Sequence, residues 1–195
     1  MVAKMGFDKN LNALLARVVP GFQSLKSCRQ LTAGASQETY CLTLFTAAGE
    51  RQLALRRSQP TSENISTVGS ISLEIEARLF QLATAGSIPG PEILAVLQPR
   101  DGLGSGFIME WLEGETLGQR IVRSEDFSQI RPQLARKCGQ ILGRIHALDW
   151  QAADLGQHLP VVSPAQLVDE TWGHYRDINV PVPMIDYPWR WLKDH

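Results

Sequence analysis

Two stretches carry residue types that could do chemistry together. Gly34-Ala35-Ser36-Gln37-Glu38 is a run of small and polar residues, and Arg56-Arg57 ends a later apolar run. A loop without bulky side chains lets a ligand approach backbone N–H groups, and successive N–H groups turned to one point bind anions. A cation at the end of a buried strand adds fixed positive charge. Loop and arginine together make a phosphate cradle. The loop alone also fits a plain hairpin turn. Arg57, on the strand face opposite Arg56, fits a solvent-exposed charge.

The elements that must hold these residues are short strands. Residues 28–33, 39–46 and 52–57 are apolar, β-branched or aromatic, and Ala47-Ala48-Gly49-Glu50 supplies a turn, so they predict an antiparallel meander. Ahead of it, Leu11, Leu14, Leu15 and Val18 have the spacing of a one-faced helix over 8–19, with Asp8 as its N-cap and Pro20-Gly21 as its stop. After a polar loop, Val68, Ile71, Ile75, Leu79 and Leu82 predict a second helix ending near Gly86. Residues 93–97 and 106–111 predict two further strands around a hairpin loop at 99–105. Past Gly114 the patterns turn helical, over 116–122, 127–148, 164–177 and from Asp186 onward. The longest carries an apolar stripe of Ile130, Leu134, Cys138, Ile141, Leu142, Ile145 and Leu148. This order predicts an α+β protein, with a five-stranded antiparallel sheet and one helix in residues 1–113 and a helical region in residues 114–195.

Bulk properties narrow the partners. The 195 residues are 44% hydrophobic and 20% charged with a net charge of −1, which offers no basic field for nucleic acid or an acidic membrane. No apolar run is long enough to span a bilayer, and the N-terminus is too polar for a signal peptide, so the expectation is a cytoplasmic protein. Cys28, Cys41 and Cys138 are odd in number and far apart, and predict reduced, mostly buried thiols.

Five stretches in order carry a resemblance. They are Gly34 to Tyr40, Leu53-Ala54-Leu55-Arg56-Arg57, Glu74-Ile75-Glu76, Phe107-Ile108-Met109-Glu110-Trp111-Leu112-Glu113-Gly114, and Leu142-Gly143-Arg144-Ile145-His146-Ala147-Leu148-Asp149. Across roughly residues 28–150 the chain resembles the N-terminal part of the aminoglycoside phosphotransferase and choline kinase-like family. It is most similar to the branch fused with, or encoded beside, acyl-CoA dehydrogenases. The resemblance implies a protein-kinase-like N-lobe followed by the start of a helical C-lobe. It further implies ATP as cofactor with magnesium, and transfer of the γ-phosphoryl group to a hydroxyl of a small-molecule alcohol.

On that resemblance, the N–H groups of the loop at Gly34 and the Ser36 hydroxyl face phosphate oxygens. The family usually has Asn after this serine; here Gln37 stands there, and no role is carried over to it. Arg56 takes the place of the strand lysine of protein kinases, where a guanidinium grips phosphate bidentately. Its partner is a helix glutamate. Glu74 shares a polar flank with Arg78 and can pair with it at i+4, whereas Glu76 lies beside Phe80 and Ala83 at the rim of the apolar stripe. A half-buried carboxylate there needs a cation, so Glu76 is expected to pair with Arg56. By alignment, the backbone of Glu110 and Leu112 supplies the adenine-reading carbonyl and N–H, with Met109 lining the pocket.

Other signals carry less. Gly102-Leu103-Gly104-Ser105-Gly106 fits no nucleotide or nucleophile motif in register. His146 has the wrong spacing for a catalytic loop and reads as a structural histidine, and the remaining histidines form no metal set. Trp172, Tyr175, Trp189 and Trp191 read as helix packing. The family's His-Gly-Asp loop, the Asn that follows it and the second, magnesium-binding Asp have no counterpart, so no catalytic and no metal-ligating residue is expected here. The expectation is the front half of such an enzyme, inactive alone, with apolar surface that invites a homodimer. Two other readings stay open, a nucleotide-binding pseudokinase-like regulatory module and a non-catalytic α+β binding domain.

Overall fold

Antiparallel pairing of five strands organises the computed structural model, which describes residues 2–31, 37–58, 71–159 and 161–194. The strands are β1 (Phe22–Leu31), β2 (Glu38–Thr46), β3 (Gly49–Ser58), β4 (Ile93–Val96) and β5 (Ser105–Glu110), in spatial order β1-β2-β3-β5-β4. The sheet is thus the predicted five-stranded antiparallel one, and β3 is its middle strand. β1 begins six residues earlier than its apolar run suggests, because Phe22 to Ser27 pair with β2 through two irregularities in register.

Helix α1 (Val2–Val18) covers one face of the sheet. Leu11, Leu14, Leu15 and Val19 are buried against Leu42 and Leu44 of β2, Leu53 and Leu55 of β3, and Ile108 of β5. Each such side chain contributes about 1.5–3 kcal/mol by leaving water. The helix starts before Asp8, which is therefore interior to it and not its N-cap. Gly21 (φ 67°) turns the chain after it.

Helix α2 (Leu73–Ala85) lies on the other face. Ser72 caps it by accepting the Ile75 N–H at 3.3 Å, and Glu74 and Glu76 in the first turn suit the helix dipole. Its sheet-facing residues are Leu73, Ala77 and Phe80, packed with Phe107, Ile93, Val96 and Met109. The expected stripe through Ile71, Ile75, Leu79 and Leu82 is therefore rotated. Of it, only Ile75 is buried. The aromatic floor at Phe107 and Phe80, with ring centroids 6.1 Å apart, draws the helix round to the 73–77–80 ridge.

Between β4 and β5 the chain makes a 3-10 turn at Pro99–Asp101. Asp101 is buried there, accepting from Gln98 N at 2.8 Å and from Arg17 Nη2 at 2.7 Å, so it ties this turn to the end of α1.

The chain divides into two compact units, residues 1–63 with 72–155, and residues 64–71 with 156–195. The first also contains α3 (Gly118–Arg123) and α4 (Arg131–His146). The apolar stripe expected to be core in α4 is largely uncovered, with Ile130, Leu142 and Ile145 exposed, and Cys138 and His146 are exposed as well. Periodicity fixes which face of a helix is apolar, not what covers it. The second unit contains α5 (Pro164–Asp177) and α6 (Pro183–Asp194). There Trp172 stacks on Trp189 at 5.3 Å and meets Tyr175 at 5.2 Å, while Trp191 is exposed. No described helix is long and apolar enough to cross a membrane.

Two outcomes follow from these contacts. Burial raises the Asp101 pKa, but the Gln98 N–H and the charges of Arg17 and Arg100 outweigh it and hold the carboxyl below the ordinary aspartate range. A depressed carboxylate stabilises the fold above its unfolded pKa and ceases to do so as pH falls through its folded value. Asp101→Asn should therefore cost about 1–3 kcal/mol in urea unfolding at pH 7, with the gap to wild type closing below about pH 4. At Gly106 a Cβ would stand 2.2 Å from the Arg56 carbonyl oxygen and 2.8 Å from the Arg57 Cα, so Gly106→Ala must push β5 off β3. A loss of about 1–3 kcal/mol is expected. Gly114→Ala, which meets open space, should stay within about 0.5 kcal/mol of wild type in the same measurement.

Candidate functional site

Alternation along β3 sorts its residues between the two faces. Leu53, Leu55 and Arg57 face α1, and Ala54 and Arg56 face α2. In the ladders Arg56 stands opposite Thr39 of β2 and Phe107 of β5, and Ala54 opposite Cys41 and Met109. Arg56, Met109 and Phe107 thus share the face on which α2 lies.

Glu76 reaches Arg56 from α2. Its Oε1 is 3.3 Å from Arg56 Nε, with the side chains 37% and 21% exposed. Glu76 is three residues after Leu73 and four before Phe80, so it rises from the ridge that meets the sheet. Arg56 Nε is nonetheless shut off from solvent without a hydrogen bond. The pair is therefore within Coulomb range but not aligned for donation. An ion pair this exposed is worth about 0–1 kcal/mol at most, so it orients more than it stabilises. No further ion pair holds Arg56 among the described residues. Among the described residues its remaining N–H groups show no hydrogen-bond partner.

Glu74 does not join this pair. It is exposed and borders a cavity of about 560 Å³ between the start of α2 and the 97–106 connection. Arg78, its expected i+4 partner, donates instead to the Ala153 carbonyl at 3.0 Å.

Met109 is half-buried and packs on the Leu73–Ala77–Phe107 cluster. Glu110 is the last residue of β5, and its N–H donates to the Glu92 carbonyl at 2.9 Å. From Trp111 the chain leaves the sheet. Among the described residues, the backbone of Trp111 to Glu113 makes no backbone hydrogen bond, and Leu112 is 54% exposed. Trp111 Nε1 donates to Glu113 Oε1 at 2.9 Å, which steadies this exit segment. Gly34 and Ser36 lie outside the described residues. The site residues that are described fall together as Arg56, Glu76 and Met109 on one face, with Glu110 and Leu112 at its rim.

Arg57 differs from expectation. It is not a solvent charge: its side chain is 11% exposed and its Nη2 is 2.7 Å from Glu38 Oε2. Its Nε donates to the same oxygen at 2.8 Å, its Nη1 to the Leu103 carbonyl at 3.1 Å, and its guanidinium lies 4.3 Å from the Phe7 ring centroid. Tyr40 completes the group by donating its hydroxyl to Glu38 at 3.0 Å. Burial, followed by that hydrogen bond, holds the Tyr40 phenol above its ordinary pKa, so it remains a donor. One signal was available in the sequence. Arg57 continues the Leu53–Leu55 face, and a charge on a buried face needs a carboxylate, which antiparallel pairing supplies as Glu38.

Metal ligation is a separate matter. Among the described residues no group of three or more His, Cys, Asp or Glu side chains is placed to hold a metal ion.

Comparison with curated proteins finds no match. A crystal structure from Ralstonia eutropha JMP134, provisionally named an aminoglycoside phosphotransferase, is similar in fold, with a TM-score of 0.70 at 21% identity. The match covers 96% of this chain and 53% of that one, so this chain spans about half the length of that relative. The model of the phosphotransferase enzyme family matches residues 27–194, from within β1 to the end of α6. The chain therefore belongs to the phosphotransferase enzyme family.

Proposed function

We propose that this chain binds ATP on the α2 face of its sheet, as the nucleotide-holding part of an enzyme that phosphorylates a hydroxyl of a small-molecule alcohol. In this reading residues 1–113 form the nucleotide-binding lobe and residues 114–195 begin a helical lobe. Gly34 and Ser36 offer N–H and hydroxyl donors to the phosphates. Arg56 neutralises phosphate charge, Glu76 aims Arg56, and Met109 lines the adenine pocket. The Glu110 carbonyl and the Leu112 N–H read the adenine edge.

The Arg56–Glu76 pair carries the reading. Phosphoryl transfer is catalysed chiefly by positioning and charge neutralisation, so a guanidinium with one loose partner among the described residues is a fitting element. The backbone of Trp111 to Glu113, with no backbone partner of its own, fits the need for an unpaired polar edge. No His-Gly-Asp tripeptide occurs in the sequence, and no protein cage for magnesium stands among the described residues. For these 195 residues the reading is accordingly nucleotide binding without transfer.

Thermal unfolding with and without ATP tests this. The wild-type chain should melt several degrees higher with ATP in large excess over its Kd, since about 2.7 kcal/mol is gained at a hundredfold excess. Glu76→Lys should abolish that shift, and Glu74→Lys should leave it as in wild type. Equal effects of the two substitutions would refute the assignment of Glu76, and no shift in wild type would refute nucleotide binding.

A further inference from the structure

On the face of the sheet turned away from Glu76, Arg57 is held from several directions. Glu38 of β2 takes two of its nitrogens, the Leu103 carbonyl takes a third, and the Phe7 ring of α1 lies against its guanidinium. Tyr40 braces Glu38 through its hydroxyl and meets Phe7 ring to ring at 5.4 Å. From the β5 side, Gly106 allows the Arg56–Arg57 backbone a contact that no Cβ would permit. Among the described residues, Arg56, its neighbour, has only the loosely aligned Glu76 to direct it. Its placement must come mainly from its backbone.

We infer that Arg57 is a positioning residue: clamped by Glu38, Tyr40 and Phe7, it fixes the β3 backbone so that Arg56 presents its guanidinium to a nucleotide phosphate. The inference rests on the ATP reading above. Stability alone does not account for such a group, because a buried ion pair is often no better than an apolar pair of the same volume. What a rigid neighbour adds is preorganisation of the group that touches the ligand. Through Phe7 the clamp also connects α1 to the site, although α1 packs on the opposite face.

The test compares ATP with adenosine, which lacks the phosphates, by calorimetric titration of the full 195-residue chain. Wild type should bind ATP more tightly than adenosine. Arg57→Met should weaken ATP about tenfold, the size of one lost charge-assisted contact, and leave adenosine unchanged. Tyr40→Phe removes one hydroxyl and keeps the ring, and should weaken ATP about two- to threefold with adenosine again unchanged. Arg57→Lys, which keeps the charge on Glu38, should recover part of the loss. A purely structural role would lower the melting temperature and leave the ATP-to-adenosine ratio at its wild-type value, and that result in Arg57→Met overturns the inference. Should Arg57→Met not fold, a wild-type ratio in Tyr40→Phe overturns it equally. Failure of the wild-type chain to bind ATP overturns the nucleotide reading and this inference with it. ATP binding with unchanged ratios overturns the positioning role alone.

Discussion

Strand β3 is buried on both faces from Leu53 to Leu55, so the two arginines that follow must be accommodated on opposite sides of one sheet. Past this buried stretch, alternation sends one guanidinium toward α2 and the next toward α1. Everything else described near the site answers that constraint. α2 brings a carboxylate to the first, β2 brings one to the second, and β5 comes close enough for Gly106 to touch the backbone of both.

The two ion pairs differ in a way that separates structure from function. Arg57 and Glu38 meet at 2.7 Å, with two nitrogens on one oxygen and aromatic rings around them. Arg56 and Glu76 meet at 3.3 Å, with the arginine Nε unaligned and the arginine 37% exposed against 11% for Arg57. A guanidinium fixed through all three of its nitrogens within the protein is not free to turn toward a ligand. The loosely held arginine is the one free to reorient, and it lies on the face shared by Met109 and the exit of β5.

Much of this was legible from residue types. The strands, the order of elements and α5 over Pro164–Asp177 follow from periodicity and capping, and Glu76 was preferred to Glu74 from its place on the helix. Yet the stripe used for that choice was not the one that packs. The helix rests on Leu73, Ala77 and Phe80, and the same glutamate comes out because residue 76 lies between 73 and 80 on either reading. What the sequence hid was contact across elements. Arg57 looked exposed because strand alternation says which face a residue takes but not that α1 covers it. Asp101 looked like a loop residue because its partners, Gln98 N–H and Arg17, meet only once the turn and helix are in place. The stripe of α4 showed the opposite error, since an apolar face was equated with a covered one.

The distribution of buried side chains bears on where the site gets its rigidity. Among the described residues the buried apolar side chains run from Leu11 to Ile108, with Leu155 the one later member. None of the helical residues from α3 onward joins them. The free energy that holds β3, α2 and β5 in register therefore comes from the sheet and the two helices that cover it, by burial of leucines on one face and of Phe107 with Leu73 and Ala77 on the other. Arg56, Glu76 and Met109 are attached to that core directly. Their geometry does not depend on the exposed apolar face of α4, because Arg56, Glu76 and Met109 all stand on elements that precede Trp111.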